Sequence, residues 1–310
     1  MHRATEDAIH YRRCRRADLV PAARMIMVTM NALRRRTGKE PIPYRPIRRV
    51  SPMFAHLSGR DPEFFSCAWH RGRVVGVAGA INRGRQWYLA WLFVHPRYQG
   101  RGVGRRLLER VWRDGPDVTH GLCTFSYNVQ AVSIYSRFGM NPRAILNMMR
   151  APVSMLKLPP ATGLTVQDGL GRGDAAWIHE LEREIRGYPH PPEWSYWNRS
   201  DDYRIYIFRR RGRRVGYGVV NCVGEIAPVG AVTPRDFAVV SRETLRLAAE
   251  RPFGRNVKSP HVQIFCPTAN AELYQMLLRA GLRNVEVLLF LADADYGDFS
   301  RYVPASLAIF

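Results

Sequence analysis

The sequence predicts an α/β (α+β) chain of two domains, in which short strands and amphipathic helices alternate. Three observations carry this. The chain has 310 residues, more than one average domain needs. Residues 153–163, VSMLKLPPATG, hold two prolines and a glycine without periodicity, which predicts a linker between domains 1–155 and 156–310. On both sides of it, β-branched and aromatic runs bounded by glycine turns alternate with apolar stripes of helical period.

In the first domain, residues 10–16 predict a strand and 17–33 a helix, followed by a polar loop broken by Gly38 and Pro41. Residues 53–58 predict a second helix stopped at Gly59. Three runs, 64–69, 74–82 and 87–94, are separated by glycine turns at Gly72 and Gly84 and predict a meander. Val103, Leu107, Leu108, Val111 and Trp112 fall on one helical stripe. A strand at 122–126, a helix at 128–137 ended by Gly139, and a strand at 145–149 complete the domain.

The stretch 92–112, LFVHPRYQGRGVGRRLLERVW, runs from a strand through a glycine-rich turn into a helix. Such a turn leaves backbone N–H groups pointing outward with the positive end of the helix dipole behind them. Glycine permits close approach of a ligand, and Arg101, Arg105 and Arg106 add charge. Together these make a site for phosphate or pyrophosphate. The third glycine comes one residue early for a dinucleotide fold, and no lysine stands where a P-loop needs one.

The full string Val94-x-Pro96-x-x-Gln99-Gly100-x-Gly102-x-Gly104 resembles the acyl-CoA-binding motif of the GNAT superfamily of N-acetyltransferases. Downstream, Asn128, Ala131, Tyr135 and Gly139 resemble that family's second motif, with Met140 in place of its phenylalanine. The resemblance implies two GNAT-like domains, each a mixed, mostly antiparallel central sheet flanked by helices. It implies acetyl-CoA as co-substrate. Pantetheine would pair with the backbone of Leu92, Phe93 and Val94 where two strands splay, and the pyrophosphate would sit on Gln99, Gly100, Arg101, Gly102, Val103, Gly104 and Arg105. Asn128 would bond the pantetheine arm or cap its helix, and Tyr135 would protonate the departing thiolate or simply pack.

The second half reads as a degenerate copy. A strand at 164–166, a helix at 175–185 and a hairpin of 203–209 with 215–221 precede Pro234, which matches Pro96. Asn270 matches Asn128 and Gly281 matches Gly139. Phe237, Ala238, Val240 and Arg242 stand where Gln99 and the three glycines stand in the first motif, and Leu277 replaces Tyr135. Bulky residues on that turn would keep a pyrophosphate away, so cofactor is expected in the first domain alone.

The acceptor amine must lose a proton, and here the sequence departs from the family. Many members place a glutamate on a central strand, whereas 87–94 and 122–126 carry no carboxylate and Cys123 occupies one such place. A cysteine there is most simply a small buried apolar residue. Glu63, His95 or a chain of waters are the other candidates. The implied activity is acetyl transfer to a primary amine of a small molecule or peptide. The alternative is a non-catalytic acyl-CoA-binding or regulatory protein.

Composition narrows the field further. The net charge is +21, but all basic residues except Lys39, Lys157 and Lys258 are arginine and they are spread along the chain. That spread is not the footprint of a nucleic-acid-binding face. The five cysteines, Cys14, Cys67, Cys123, Cys222 and Cys266, show no Cys-x-x-Cys, which predicts reduced thiols in a cytoplasm and no metal site. No apolar run reaches membrane-spanning length, and residues 1–16 do not resemble a signal peptide.

Overall fold

The computed structural model describes residues 8–43, 46–158, 160–254, 257 and 259–310. The first seven residues of the expected first domain, and Pro159 of the expected linker, lie outside the described residues. The chain divides into two compact units, Met1–Leu122 with Tyr127–Phe138, and Cys123–Ser126 with Gly139–Phe310.

The first unit contains β1 (His10–Arg13), α1 (Leu19–Arg36), α2 (Pro52–Arg60), β2 (Phe65–His70), β3 (Arg73–Arg83), β4 (Gln86–Val94), α3 (Val103–Val111), the start of β5 (Thr119–Phe125) and α4 (Val129–Arg137). Its sheet order is β1-β2-β3-β4-β5. Neighbours are antiparallel except β4 and β5, which are parallel. The meander thus forms as its turns predict. The helix α2 runs through Gly59 to Arg60 instead of stopping there, because the Asp61 N–H still reaches the Leu57 carbonyl at 3.0 Å.

The amphipathic stripe of α3 buries Val103, Leu107, Leu108 and Val111. A Cβ at Gly76 on β3 would come within 2.7 Å of Leu107, so the absence of a side chain there lets the helix lie close on the sheet. The indole N–H of buried Trp87 donates to the Val111 carbonyl at 2.7 Å and fixes the helix end over β4. A buried Asp61–Arg83 ion pair at 2.9 Å closes the far end of β3.

The expectation of five reduced thiols does not hold. Cys14 and Cys67 are joined as a disulfide, with Cα atoms 5.3 Å apart. Their 53-residue separation hides the pair in the sequence, whereas the β1–β2 ladder, with Arg13 opposite Ser66, brings them together. Among the described residues, Cys123, Cys222 and Cys266 take part in no disulfide.

The second unit holds the end of β5, β6 (Asn141–Pro152), β7 (Thr165–Asp168), α5 (Asp174–Arg186), α6 (Pro191–Arg199), β8 (Tyr203–Arg210), β9 (Arg213–Asn221), β10 (Glu225–Ala231), α7 (Pro234–Glu250), β11 (His261–Pro267), α8 (Ala271–Arg279), β12 (Arg283–Ala292) and β13 (Tyr302–Val303). Its strands run β5-β12-β6-β11-β10-β9-β8-β7, with β13 also on β10. Only β10 and β11 are parallel among the registers seen in this unit. The order β-α-α-β-β-β-α-β-α-β runs from β1 to β6 and again from β7 to β12.

One expectation is corrected here. Phe237, Ala238, Val240 and Arg242 do not lie on a turn but inside α7. Thr233 accepts the Asp236 N–H at 3.0 Å and Pro234 takes the first helical position, so the helix starts before the place where the first unit has its glycines. Phe237 and Val240 are buried core residues. No helix among the described residues is long and apolar enough to cross a membrane.

Candidate active site

In the first unit, the register of β4 with β5 ends at Leu89 and Leu122. Beyond that point Leu92, Phe93 and Val94 line a cleft of about 930 Å³. The same cleft is lined by Gln99, Gly100, Gly102, Val103, Gly104 and Arg105 from the turn and α3, and by Asn128 and Tyr135 at α4. Residues from both motifs therefore meet in one place.

The turn is built as glycine chemistry requires. Gly102 caps α3 in the left-handed region, with φ of 76°, where a side chain would be strained. Nothing lies within 4 Å of where its Cβ would stand, so the space in front of it is open. The first-turn N–H groups of 103–105 have no partner within the helix, and no acidic residue stands in that turn. Arg36 and Arg137 also line the cleft. This end favours an anion. The side-chain amide of Gln99 donates to the Val94 carbonyl at 2.9 Å, and Thr29 donates to the same oxygen at 3.4 Å.

Asn128 precedes α4 but makes no capping hydrogen bond with its side chain. Its amide is thus left to the cleft. Tyr135 is 7% exposed, and burial raises its pKa, so its phenol stays protonated. Arg101 does not line the cleft; its guanidinium sits 5.6 Å from the centre of the Tyr98 ring.

Neither Glu63 nor His95 lines the cleft. Glu63 is exposed in a short 3-10 turn, Pro62–Phe64. His95 caps another, its Nδ1 accepting the Arg97 N–H at 3.3 Å, and burial together with Arg97 lowers its pKa. Cys123 falls in the second unit. Among the described residues the one carboxylate lining the cleft is Glu109, which pairs with Arg105 at 2.8 Å.

The sequence reading missed the wall made by α1, namely Thr29, Met30, Leu33 and Arg36. Thr29, Leu33 and Arg36 are spaced as one helical stripe, which was readable. What that stripe faces was not.

Residues 30–140 match the acetyltransferase (GNAT) family. A mycothiol acetyltransferase of Paenarthrobacter aurescens is 30% identical over 134 residues, which are 41% of this chain and 40% of that protein. The match thus spans less than half the length of that relative. Among solved structures, a putative acetyltransferase from Pyrococcus horikoshii aligns over 97% of this chain and 96% of its own, with a TM-score of 0.73 at 16% identity. A tandem GNAT protein from the clavulanic acid biosynthesis pathway aligns over 92% and 98%, with a TM-score of 0.56 at 14% identity. These likenesses extend the fold over both halves. With both motifs in one cleft and the family match covering them, the chain carries a domain of the acetyltransferase (GNAT) family.

Proposed function

We propose that the first unit binds acetyl-CoA and transfers its acetyl group to a primary amine of a small molecule or peptide. The observation that carries this is the shared cleft of the β4 end, the α3 N-terminus, Asn128 and Tyr135. In this reading the backbone of 92–94 receives the pantetheine as an added strand, and the N–H groups of 103–105 receive the pyrophosphate. The neutral amine attacks the thioester carbon, the C–S bond breaks, the Tyr135 hydroxyl gives its proton to the thiolate, and the phenolate so formed regains a proton from water. Proximity supplies much of the rate. With Glu109 engaged by Arg105, the ammonium proton leaves through water, which suits an acceptor of low pKa.

We read the chain as a cofactor-binding domain, 1–155, and a degenerate domain, 156–310, that keeps the fold without cofactor. The repeated order of elements supports this. A second reading, a non-catalytic acyl-CoA-binding protein, is favoured because, among the described residues, the one carboxylate lining the cleft is Glu109, which is paired with Arg105. Mixing the protein with acetyl-CoA and a panel of amines, and following thiol release, separates them. Release with one amine class supports catalysis; tight binding without release for any amine supports the second reading.

A further inference from the structure

The second unit has its own pair of parallel strands, β10 and β11, whose register covers only Glu225 with Gln263 and Ile226 with Ile264. Past that point the strands part, as β4 and β5 do in the first unit. Here the gap is filled. Val229 pairs antiparallel with Val303 and Gly230 with Tyr302, and the Ala231 N–H donates to the Arg301 carbonyl at 3.1 Å. The inserted strand also packs against β11.

The filling segment is held on every side. Asn270, the counterpart of Asn128, accepts the Leu273 N–H at 2.9 Å and donates from Nδ2 to the Ser300 carbonyl at 3.0 Å. Arg301 donates to Asp298 at 2.6 Å and to the Val232 carbonyl at 2.9 Å. Tyr302 and Val303 are fully buried, and Phe310 stacks on Phe290 with ring centroids 4.1 Å apart.

We propose that the gap between β10 and β11 is a strand-binding site for an extended peptide, and that its occupant is the chain's own segment 300–303. Recognition is by main-chain pairing on β10, the mode by which sheets accept peptide strands. The backbone edge that would take a pantetheine arm is already used, so peptide and cofactor exclude one another there. This stands apart from the acyl transfer proposed for the first unit and does not depend on it.

Two experiments on the full chain test it. In the first, a protease site is placed at exposed Asp295 and the folded protein is cut there. The tail should stay with the body through gel filtration and exchange with a fluorescent peptide of sequence 296–310. The same peptide carrying Val303→Glu should bind at least tenfold more weakly, and acetyl-CoA should not displace the wild-type peptide. Equal binding of both peptides, or a second acetyl-CoA bound in place of the tail, overturns the proposal.

The second experiment covers the case in which the cut chain unfolds. Asn270→Asp keeps the oxygen that caps α8 but removes the donor to Ser300. In the uncut variant the Ala231 amide should exchange its hydrogen at least tenfold faster than in wild type. An unchanged rate overturns the proposal. Loss of acetyl-CoA binding at the first cleft would move neither readout, so the two readings fail separately.

Discussion

The side-chain amide of Gln99 donates to the backbone carbonyl of Val94 at 2.9 Å, tying the last residue of β4 to the turn that follows it. Val94 lies on the edge proposed to take pantetheine and Gln99 opens the turn proposed to take the pyrophosphate, so one bond sets the spacing of both. Gln99→Glu puts a carboxylate oxygen against that carbonyl and removes the donor. Loss of one such bond costs about 1 kcal/mol. The melting temperature should drop by about 2–4 °C, and acetyl-CoA affinity by calorimetry should fall about fivefold, because binding must then re-order the turn.

Gly104 separates close approach from backbone strain. It is helical, and a Cβ there would meet only Val94 at 3.5 Å, an ordinary contact. Gly104→Ala should therefore hold or raise thermal stability, since alanine favours a helix by about 1 kcal/mol over glycine. Acetyl-CoA binding should nevertheless weaken at least tenfold, about 1.4 kcal/mol. Undiminished affinity would show that no ligand group approaches this backbone.

Tyr135→Phe keeps the buried ring and deletes only the hydroxyl. With chemistry rate-limiting, kcat should drop by about a hundredfold while acetyl-CoA affinity holds, as expected for loss of a general acid. Equal turnover of variant and wild type would leave Tyr135 a packing residue.

The second unit should be acid-sensitive. Buried Glu182 accepts from His190 at 2.7 Å, with Arg186 alongside. Burial, with Arg186 beside it, lowers the His190 pKa, so the unfolded chain takes up a proton that the native state refuses. Burial alone would raise Glu182, but His190 and Arg186 hold it below its ordinary value. Both shifts act in one direction. Stability should fall as pH drops below about 6.5, and further as Glu182 protonates. Urea titrations at several pH values check this, and His190→Gln should flatten the upper part of the loss.

What the sequence disclosed was local. Gln99, Gly100, Gly102 and Gly104 are neighbours in the chain, and their turn is where it was expected. The Thr233-Pro234-x-Asp236 cap was equally local, but matching Pro234 to Pro96 displaced the plainer reading of a helix start. Strand β10 was not among the strands expected from the sequence; it holds Pro228 and Gly230, residue types that are unusual inside a strand, and both are buried between paired neighbours. Cys14 with Cys67, and the α1 wall of the cleft, depend on which strand lies beside which. Periodicity does not contain that information.

Strand β6 has paired neighbours on both edges: Asn147 faces Cys266 on one side and Val287 on the other. The middle of the second unit therefore cannot assemble until segments far apart along the chain have met. Pairing of that kind slows folding, because loop closure must precede the contacts that reward it. A chain begun at residue 156 would lack β6 and leave the facing edges of β11 and β12 bare. Such edges template pairing between molecules. The piece that looks like a domain on paper should precipitate when expressed alone, and more readily than one begun at Gly139, which restores β6 and leaves bare only the β12 edge that faces β5.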